Sequence, residues 1–549
     1  MKAKILKVHP DDNVLVALTD LPKGETVRLG EYIWQTAEPI PAKHKFAAQA
    51  FEPGDSLTMY GVLVGTAQKH IAEGAWINTQ NVRHAANNFA LSKTRKGWQV
   101  PDVSAWEQRT FMGYHRADGS VGTANYWLVI PLVFCENRNI EVLREALVHD
   151  LGYDRKNSRR AQTQQLISLY QAGKTAAEIL AADLQTQTTT PLPRLFPNVD
   201  GVKFLSHDGG CGGTRQDAQA LCGLLAGYIT HPNVAGATVL SLGCQNAQIP
   251  LLQEAIAQRD PNFKKPLFLL EQQQIGMERD LIAEALKQTF AGLMEANQLQ
   301  RQPAPLSKLS IGLECGGSDG FSGISANPTL GHLSDLLVAL GGTVILSEFP
   351  ELCGVEQELS DRCTDEATAL RFSELMNAYH ERAKAVGSGF DMNPSPGNIR
   401  DGLVTDAMKS AGAAKKGGTS PVVAVLDYPE KATKPGLNLL CTPGNDVEST
   451  TAEVGSGATI VLFTTGLGTP TGNPIAPVVK VSSNAALARR MPDIIDFDTG
   501  GIISGDEHIE HAAERLLEYV VRIASGEAEV AATRFGQDDF IPWKRGISL

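Results

Sequence analysis

The sequence predicts an α/β protein in which a small β-rich module precedes two regions with mostly parallel sheets. Residues 1–86 contain short β-type runs, such as 13–18 and 56–64, separated by turn sequences with Pro and Gly. After that module, apolar strand-like runs alternate with amphipathic helical runs, as at 237–242 and 250–258. Such alternation is typical of parallel strands that are covered by helices.

The length of 549 residues exceeds what one hydrophobic core usually organises, so several domains are expected. Residues 87–109 lose hydrophobic periodicity and carry mixed charge, as a linker does. Residues 298–305 are rich in Pro and Gln and precede a fresh strand, which marks a second boundary. The predicted division is a β-rich module at 1–86, a linker at 87–109, a central Rossmann-like α/β domain at 110–305 and a second one at 306–549.

Composition narrows the class of protein. The formal net charge is −12 and there is no long basic run, so we expect no nucleic-acid partner and no membrane partner. The first 20 residues lack the apolar core of a signal peptide and no apolar run reaches membrane-spanning length, so we expect a cytoplasmic protein with a small-molecule partner. A homodimer is the default expectation for its assembly.

Four polar loops follow strand-like runs. We expect them to share one site, because ligands collect at the carboxyl ends of parallel strands. The first loop, 206–214, holds His207 and Cys211 among glycines that let backbone N–H groups approach an anion. The second loop, 243–248, places Cys244 at a helix start, which favours a thiolate or a bound carboxylate.

The third loop, 313–323, is the most informative stretch, because its polar side chains crowd between glycines that contribute little to a hydrophobic core. Those side chains are Glu314, Cys315, Ser318 and Asp319. The fourth loop, 464–484, is dense in Thr, Gly, Asn and Pro and offers Lys480 to neutralise an anion. Its many donors and acceptors suit a polyhydroxylated acid.

Each of these signals also has an ordinary structural interpretation. A Gly-rich loop after a strand is often only a tight turn, and a free cysteine is often a small buried hydrophobic residue. We apply the second interpretation to Cys222, Cys353, Cys363 and Cys441. The three loop cysteines are separated by 33 and 71 residues, which match no local zinc or ferredoxin spacing, so spacing alone does not establish a metal site.

Several long motifs together resemble the altronate/galactarate dehydratase family. They are RADGSVGTANYWLVIPLVFCENRN at 116–139, GLECGGSDGFSGISANPTLG at 312–331, TVILSEFPE at 343–351 and the loop at 464–484. Residues 40–67, IPAKHKFAAQAFEPGDSLTMYGVLVGTA, resemble the SAF-type β module of that family. The resemblance extends over about residues 1–545.

One element departs from the family pattern. The SAF module often carries His-x-His-Asn, whereas the matching place here reads Asn78, Thr79, Gln80, Asn81. The departure puts a direct catalytic role of the module in doubt and leaves His44 and Asn81 as its better candidates.

The resemblance implies dehydration of a hexonate or hexarate to a 2-keto-3-deoxy acid, with D-altronate giving 2-keto-3-deoxy-D-gluconate in hexuronate breakdown. It also implies a divalent metal, Fe(II) or alternatively Mn(II), which would stabilise the ene-diolate together with backbone N–H groups. Soft ligands suit iron better than magnesium. The predicted metal ligands are Cys211, Cys244, Cys315 and Glu314, with His207 next.

Proton transfer and substrate binding need further side chains from the same motifs. The candidates for acid–base catalysis are His207, His44, Glu348 and Asp319. The candidates for binding the substrate's carboxylate and hydroxyls are Arg116, Asn125, Asn137, Arg138, Ser318, Thr469, Asn473 and Lys480.

Three alternatives remain open at this point. The chain resembles galactarate dehydratases and sulfolactate sulfo-lyases of the same family, whose substrates carry two acid groups and would need a second cationic anchor. An iron–sulfur hydro-lyase would use the three loop cysteines to hold a cluster. A sugar-acid binding or sensing protein would bind the acid without turning it over.

Overall fold

The computed structural model describes residues 3–86, 97–154, 159–184 and 192–549. Within these ranges, antiparallel strands of the first module are followed by parallel sheets with helices, which confirms the predicted α/β class. Residues 87–96 of the predicted linker lie outside the described ranges, and 97–109 contain turns without a helix or strand. No helix in the described ranges is long and apolar enough to cross a membrane.

The amino-terminal module is built from short strands because its apolar runs are interrupted by turns after a few residues. The strands are β1 Ile5–Leu6, β2 Val14–Ala17, β3 Thr26–Leu29, β4 Tyr32–Gln35, β5 Lys45–Ala47, β6 Ser56–Met59, β7 Val62–Ala67, β8 Trp76–Ile77 and β9 Val82–Arg83. They form a sheet in the order β1-β2-β5-β8, a hairpin of β3 and β4, and a sheet in the order β6-β7-β9. Leu15, Trp34 and Phe46 belong to the small core of this module.

The central region contains a parallel sheet in which helices cover apolar strands. Its strands are β10 Thr110–His115, β11 Val121–Gly122, β12 Tyr126–Pro131, β13 Gly201–Phe204, β14 Val234–Ser241, β15 Leu267–Glu271 and β16 Gln302–Pro305. Its helices are α1 Asn137–Leu147, α2 Arg160–Gln171, α3 Ala176–Leu180, α4 Arg215–Thr230, α5 Ile249–Arg259, α6 Gln272–Ile275 and α7 Glu278–Ala296. The parallel sheet has the order β13-β12-β14-β15. Strand β14 is buried along its whole length, with α4 and α7 packed against it.

Strand β16 differs from the prediction, which treated residues 298–305 only as a boundary segment. It pairs antiparallel with β10, and β11 pairs on the other side of β10, so β16 lies at an edge of this small sheet. An edge tolerates Pro303 and Pro305, which lack a backbone N–H group. The pairing joins the beginning of the central region to its end.

The C-terminal region is organised around a seven-stranded parallel sheet. Its strands are β17 Ser310–Cys315, β18 Thr343–Leu346, β19 Val422–Leu426, β20 Gly436–Leu440, β21 Ile460–Thr465, β22 Val478–Ser482 and β23 Phe497–Asp498. Its helices are α8 Ala326–Ala339, α9 Glu356–Asp361, α10 Glu366–Ala385, α11 Pro396–Arg400, α12 Asp406–Ala413, α13 Asp446–Gly455, α14 Ala485–Arg490, α15 Gly500–Ser504, α16 Ile509–Ala524 and α17 Ala531–Phe535. The strand order is β19-β20-β18-β17-β21-β22-β23. The carboxyl ends of the neighbours β18, β17 and β21 therefore meet at one edge of the sheet.

Candidate active site

The four polar loops lie at the carboxyl ends of strands, but the structure divides them between two sheets. Loops 206–214 and 243–248 follow β13 and β14 of the central sheet and hydrogen bond to each other. Loops 313–323 and 464–484 extend from β17 and β21 of the C-terminal sheet and also hydrogen bond to each other. The two pairs line different cavities that share no lining residue. The expectation of one shared site is therefore wrong, because the strand-end rule does not say which sheet a loop belongs to.

The C-terminal pair opens on a cavity of about 520 Å³. This volume falls within the range of pockets that hold small polar metabolites. The polar and charged side chains that line it are Cys315, Glu351, Tyr379, Ser388, Asn393, Ser395, Asn398, Lys409 and Asp446. Thr469 lies against Gly317, another lining residue, so this predicted substrate residue is near the cavity.

Cys315, at the end of β17, lies against two carboxylates from the segment that follows β18. Its Sγ atom is 3.5 Å from Glu348 Oε2 and 3.3 Å from Glu351 Oε2. The Cys315 backbone N–H donates to Glu348 Oε2 at 3.2 Å. One ligand atom from each of the three residues lies within 4.8 Å of the other two, and all three residues are buried. The group therefore combines a thiol and two carboxylates at the strand end.

Two buried lysines neutralise these carboxylates. Lys416 donates to Glu348 Oε2 at 2.6 Å, and both side chains are 1% exposed. Lys409, on α12, donates to Glu351 Oε1 at 2.5 Å and to Asn393 Oδ1 at 2.9 Å. Burial alone would raise the pKa of Glu351, but the charges of Lys409 and Lys416 outweigh it and lower that pKa. Glu351 is therefore ionised at neutral pH.

Two further carboxyls lie behind Glu348. Burial, together with the charges of Glu348 and Glu453, raises the pKa of Glu314 well above its usual value. Burial raises the pKa of Glu453 to about 8. Glu314 Oε1 and Glu348 Oε1 find no donor among the described residues other than a neighbouring carboxyl. The buried cluster therefore contains carboxyl groups that tend to keep their protons, and it contains carboxyl oxygens that could accept a further ligand.

Asp446 begins α13 and also lines the cavity. Burial and the charges of Glu348 and Glu351 raise the pKa of Asp446 to about 7. Near neutral pH this carboxyl exists in both forms, while Glu351 stays ionised. Two carboxyls whose pKa values are pushed apart are suited to act as a base and an acid on one substrate.

Glu348 holds its place through an unusual backbone conformation. Its φ angle is 64°, in the left-handed region that non-glycine residues seldom adopt. Its N–H donates to Thr442 Oγ1 at 2.8 Å. Backbone strain of this kind is typical of functional sites, where the surrounding contacts hold it in place.

Of the four predicted acid–base residues, only Glu348 belongs to this cluster. His207 is buried in the central region, where its Nε2 donates to the Pro131 carbonyl at 2.7 Å and its Nδ1 accepts from the Gly209 N–H at 3.1 Å. Burial lowers the pKa of His207, so the ring is neutral. Because both ring nitrogens form hydrogen bonds with the backbone, we interpret His207 as a residue that stabilises the loop at 206–214.

His44 and Asp319 anchor the amino-terminal module instead of facing the cavity. His44 Nε2 donates to the Arg400 carbonyl at 3.0 Å, and its Nδ1 accepts from Trp76 at 3.1 Å. Asp319 is fully buried, and its Oδ2 atom forms an ion pair with Lys43 Nζ at 3.1 Å. The Asp319 oxygens accept further hydrogen bonds from Phe321, Ser322, Ser483 and Asn484. Since these contacts fill both carboxylate oxygens, we interpret Asp319 as a positioning residue.

The structure does not bring the three predicted metal-binding thiols together. Cys211 and Cys244 are exposed on loops of the central region, whereas Cys315 is buried in the C-terminal region. Neither Cys211 nor Cys244 belongs to a close group of ligand atoms in the described ranges. Glu314 neighbours the Cys315 group, and its side chain hydrogen bonds to Glu348.

The predicted substrate-binding residues have mixed outcomes. Ser318 is buried, and its carbonyl accepts from Asn398, a lining residue, at 2.8 Å. The other side chains make structural contacts away from this cavity. Arg116 and Asn125 bond to each other, Asn137 bonds to the His207 carbonyl, Arg138 pairs with Glu278 on the surface, Asn473 bonds to Tyr228, and Lys480 donates to the Thr471 carbonyl.

Four residues of the site were not among those predicted from the sequence: Glu351, Lys409, Lys416 and Asp446. Glu351 ends the motif TVILSEFPE, three residues after Glu348, so the motif itself was a usable signal. Lys409 and Lys416 lie in and just after an ordinary helical run. Their contacts with Glu351 and Glu348 span 58 and 68 residues, which no local pattern reveals.

Three family models match successive parts of the chain. Residues 3–85 match the altronate/galactarate dehydratase SAF domain. Residues 113–297 match the second domain of D-galactarate dehydratase/altronate hydrolase, and residues 306–548 match the C-terminal domain of D-galactarate/altronate dehydratase.

The chain is also similar to curated proteins along nearly their whole length. It is 34% identical to an altronate dehydratase of Bacillus subtilis, over 95% of each chain. It is 34% identical to an altronate dehydratase of Escherichia coli, over 99% of each chain. It is 31% identical to a galactarate dehydratase (L-threo-forming) of Escherichia coli, over 97% of this chain and 94% of that one.

Proposed function

The chain belongs to the altronate/galactarate dehydratase family and is a sugar-acid hydro-lyase, and from this premise we propose that its substrate is D-altronate. The products would be 2-keto-3-deoxy-D-gluconate and water, in hexuronate breakdown. We place the reaction in the cytoplasm, with eight cysteines that form no disulfide with one another as support. The observation that carries the proposal is the buried Cys315, Glu351 and Lys409 group, which opens on the C-terminal cavity.

The charge of the cavity wall supports a substrate with one carboxylate. Among the described residues that line the cavity, Lys409 is the one cationic side chain. Galactarate and sulfolactate each carry two acid groups, so their binding would require a second cationic side chain in the cavity besides Lys409. D-altronate carries one carboxylate and several hydroxyls, for which Asn393, Asn398 and Ser395 offer hydrogen bonds.

Loss of water across C2 and C3 requires removal of a weakly acidic proton and departure of hydroxide. We assign the base to Glu351, which is ionised, and the acid to Asp446, which holds a proton up to about neutral pH. Lys409 would bind the substrate carboxylate and favour the extra negative charge that develops when the C2 proton leaves. Glu348 would not contact the substrate; it would hold the thiol of Cys315 and the ammonium of Lys416 in position.

The family implies a divalent metal, and we propose Fe(II), with Mn(II) as an alternative, held by Cys315 and Glu348, so that Glu351 beside them stays available as the base. The available ligand atoms fit such an ion, because a thiol and two carboxylates lie within 4.8 Å of one another. In addition, Glu314 and Glu348 each have one buried oxygen that could accept a further ligand. Burial and the carboxylates raise the pKa of the Cys315 thiol, so the thiol would release its proton only when a cation binds in its place. When bound, the metal would supply positive charge for the ene-diolate.

An iron–sulfur cluster has less support than a single ion. Each close group of ligand atoms within the described ranges contains a single cysteine. Clusters are normally held by several thiolates. Absorption spectra of protein purified without oxygen separate the two alternatives, since a cluster is coloured and a single Fe(II) site is nearly colourless.

The test of the substrate assignment is a parallel assay. Anaerobically purified protein is supplied with Fe(II) and a thiol. Formation of 2-keto-3-deoxy acid is followed with D-altronate and with galactarate, and release of sulfite with sulfolactate, each beside a chelator control. Chelator-sensitive turnover of D-altronate alone supports the proposal. Preference for either diacid would overturn the substrate assignment and leave the family membership intact.

A further inference from the structure

A second group of possible metal ligands lies at the seam between the amino-terminal module and the C-terminal region. His84 directly follows β9, Cys353 follows the turn at Phe349–Leu352, and Asp406 begins α12. One ligand atom from each of the three residues lies within 4.8 Å of the other two. Imidazole, thiol and carboxylate are the ligand types that proteins use for zinc and related divalent ions.

Asp406 supplies the observation that points to a cation. The residue is 2% exposed, and its Oδ2 atom finds no hydrogen-bond partner from a nitrogen or oxygen of the described residues. The Cys353 thiol beside it is only a weak donor. A buried carboxyl group without a strong partner is costly to ionise, and a bound cation would relieve that cost.

The electrostatic setting differs from that of the Cys315 group. There, Lys409 and Lys416 already pair with the carboxylates. Asp406 forms no ion pair with a lysine or arginine within the described ranges, although it begins the helix that carries Lys409. His84 and Cys353 are only partly buried, so an ion could reach the group from solvent.

The backbone around the group is already held in place. The Ala407 N–H donates to His84 Nδ1 at 3.3 Å, a long contact that an ion could replace. Thr405 caps α12 and donates to the Val64 carbonyl of the module at 2.7 Å. Gly354 has a φ of 92°, and an added Cβ there would lie 3.1 Å from Ala86 and 3.2 Å from Ala407. The seam therefore presents the three ligands without rearrangement of the chain.

We propose that His84, Cys353 and Asp406 bind a divalent transition-metal ion of the zinc class, which fastens the amino-terminal module to α12. The ion is distinct from the one proposed at Cys315. Because Asp406 and Lys409 lie one turn apart on α12, the ion also fixes the helix that presents Lys409 to the cavity. Residues 78–81, where the SAF module of the family often has His-x-His-Asn, contain no histidine here. The module supplies its metal ligand three residues later, with His84.

Cobalt(II) tests the site by spectroscopy, independently of catalysis. Metal-depleted full-length protein is titrated with Co(II), and the sulfur-to-cobalt charge-transfer band reports a bound thiolate. We expect the Cys353→Ser variant to lose the band of this site, and His84→Gln and Asp406→Asn to weaken Co(II) binding more than about 10-fold. The matched controls Cys135→Ser and His70→Gln replace exposed residues and should bind as the wild type does.

The variant Cys315→Ser separates the two groups. The proposal requires that this variant keep the thiolate band that Cys353→Ser loses. A band that disappears in Cys315→Ser and persists in Cys353→Ser would overturn it, as would the absence of any thiolate band in the wild type. Neither result would bear on D-altronate turnover, so a failure of this proposal is distinguishable from a failure of the proposed function.

Thermal unfolding gives a second readout for variants that bind weakly. Added Zn(II) should raise the unfolding midpoint of the metal-depleted wild type, because an ion that binds only the folded state stabilises it. The rise should be smaller in His84→Gln and unchanged in His70→Gln. An equal rise in both variants would contradict a role of His84 as a ligand.

Discussion

The Sγ atom of Cys315 lies 3.3 Å from a carboxylate oxygen of Glu351, although 36 positions separate the two residues in the chain. The contact exists because β17 and β18 are parallel neighbours whose carboxyl ends meet at the same edge of the sheet. Burial, followed by the charges of Glu348 and Glu351, raises the pKa of the thiol well above its usual value. Cys315 therefore keeps its proton unless a cation replaces it.

Replacement of Cys315 by serine should abolish activity without unfolding the protein. A hydroxyl is close in size to the thiol but is a much poorer ligand for iron, so we expect turnover to fall at least about 100-fold. The assay is anaerobic turnover of D-altronate with Fe(II), beside circular dichroism as a check of the fold. The control is Cys135→Ser, at an exposed position. Near-normal turnover by Cys315→Ser would remove the thiol from the mechanism.

Replacement of Lys416 by methionine should destabilise the fold. Lys416 and Glu348 are both 1% exposed, so the variant leaves a buried carboxylate without its cation. We expect a loss of roughly 3–5 kcal/mol in the free energy of unfolding, measured with urea. The neighbouring Lys415 is exposed, and Lys415→Met should change that free energy by less than about 0.5 kcal/mol. Equal effects of the two substitutions would mean that the buried Lys416–Glu348 pair does not contribute to the free energy of unfolding.

Stability should depend on pH through Glu453. Burial raises the pKa of this carboxyl in the folded protein to about 8 from its usual 4.5, so the folded state keeps a proton that the unfolded state releases. The contribution is complete below pH 4.5 and is lost as the pH rises through 8. In Glu453→Gln, the slope of the unfolding free energy between these values should flatten by up to about 1.4 kcal/mol per pH unit. Glu510→Gln, at an exposed site, should keep the wild-type slope.

The fold was largely predictable because its apolar runs are long and regular. Strand β14 and helix α5 overlap the strand-like run at 237–242 and the helical run at 250–258, since buried parallel strands and the helices that cover them have regular apolar patterns. Strand β16 was missed because its prolines are typical of loops, and only the sheet order shows that it lies at an edge.

The candidate site was predictable only in part. Cys315 was found because polar residues beside a strand end are conspicuous in an apolar region, and Glu348 was found because the motif TVILSEFPE resembles the family. Lys409 and Lys416 were missed because their role depends on where α12 packs, which the sequence pattern does not encode. The polar groups of His44 and His207 are as conspicuous as those of Cys315 in the sequence, yet all four ring nitrogens form hydrogen bonds inside the protein, three with the backbone and one with Trp76.

Replacement of Asp319 by asparagine should separate anchoring from catalysis. Asp319 does not line the cavity and holds the amino-terminal module through Lys43. We expect a loss of about 1–3 kcal/mol in the free energy of unfolding, and a decrease in kcat well below the roughly 100-fold that removal of a general acid or base causes. A stable variant with a 100-fold lower kcat would restore Asp319 to the acid–base candidates.

The assignment of Glu351 as the base is tested by comparing Glu351→Gln with Glu381→Gln in one assay. Glu351 lines the cavity, whereas Glu381 is exposed on α10. Formation of 2-keto-3-deoxy acid from D-altronate is followed anaerobically with Fe(II) for the wild type and both variants. We expect turnover by the wild type and by Glu381→Gln, and a decrease of at least about 100-fold in Glu351→Gln. Wild-type rates in Glu351→Gln would contradict this assignment.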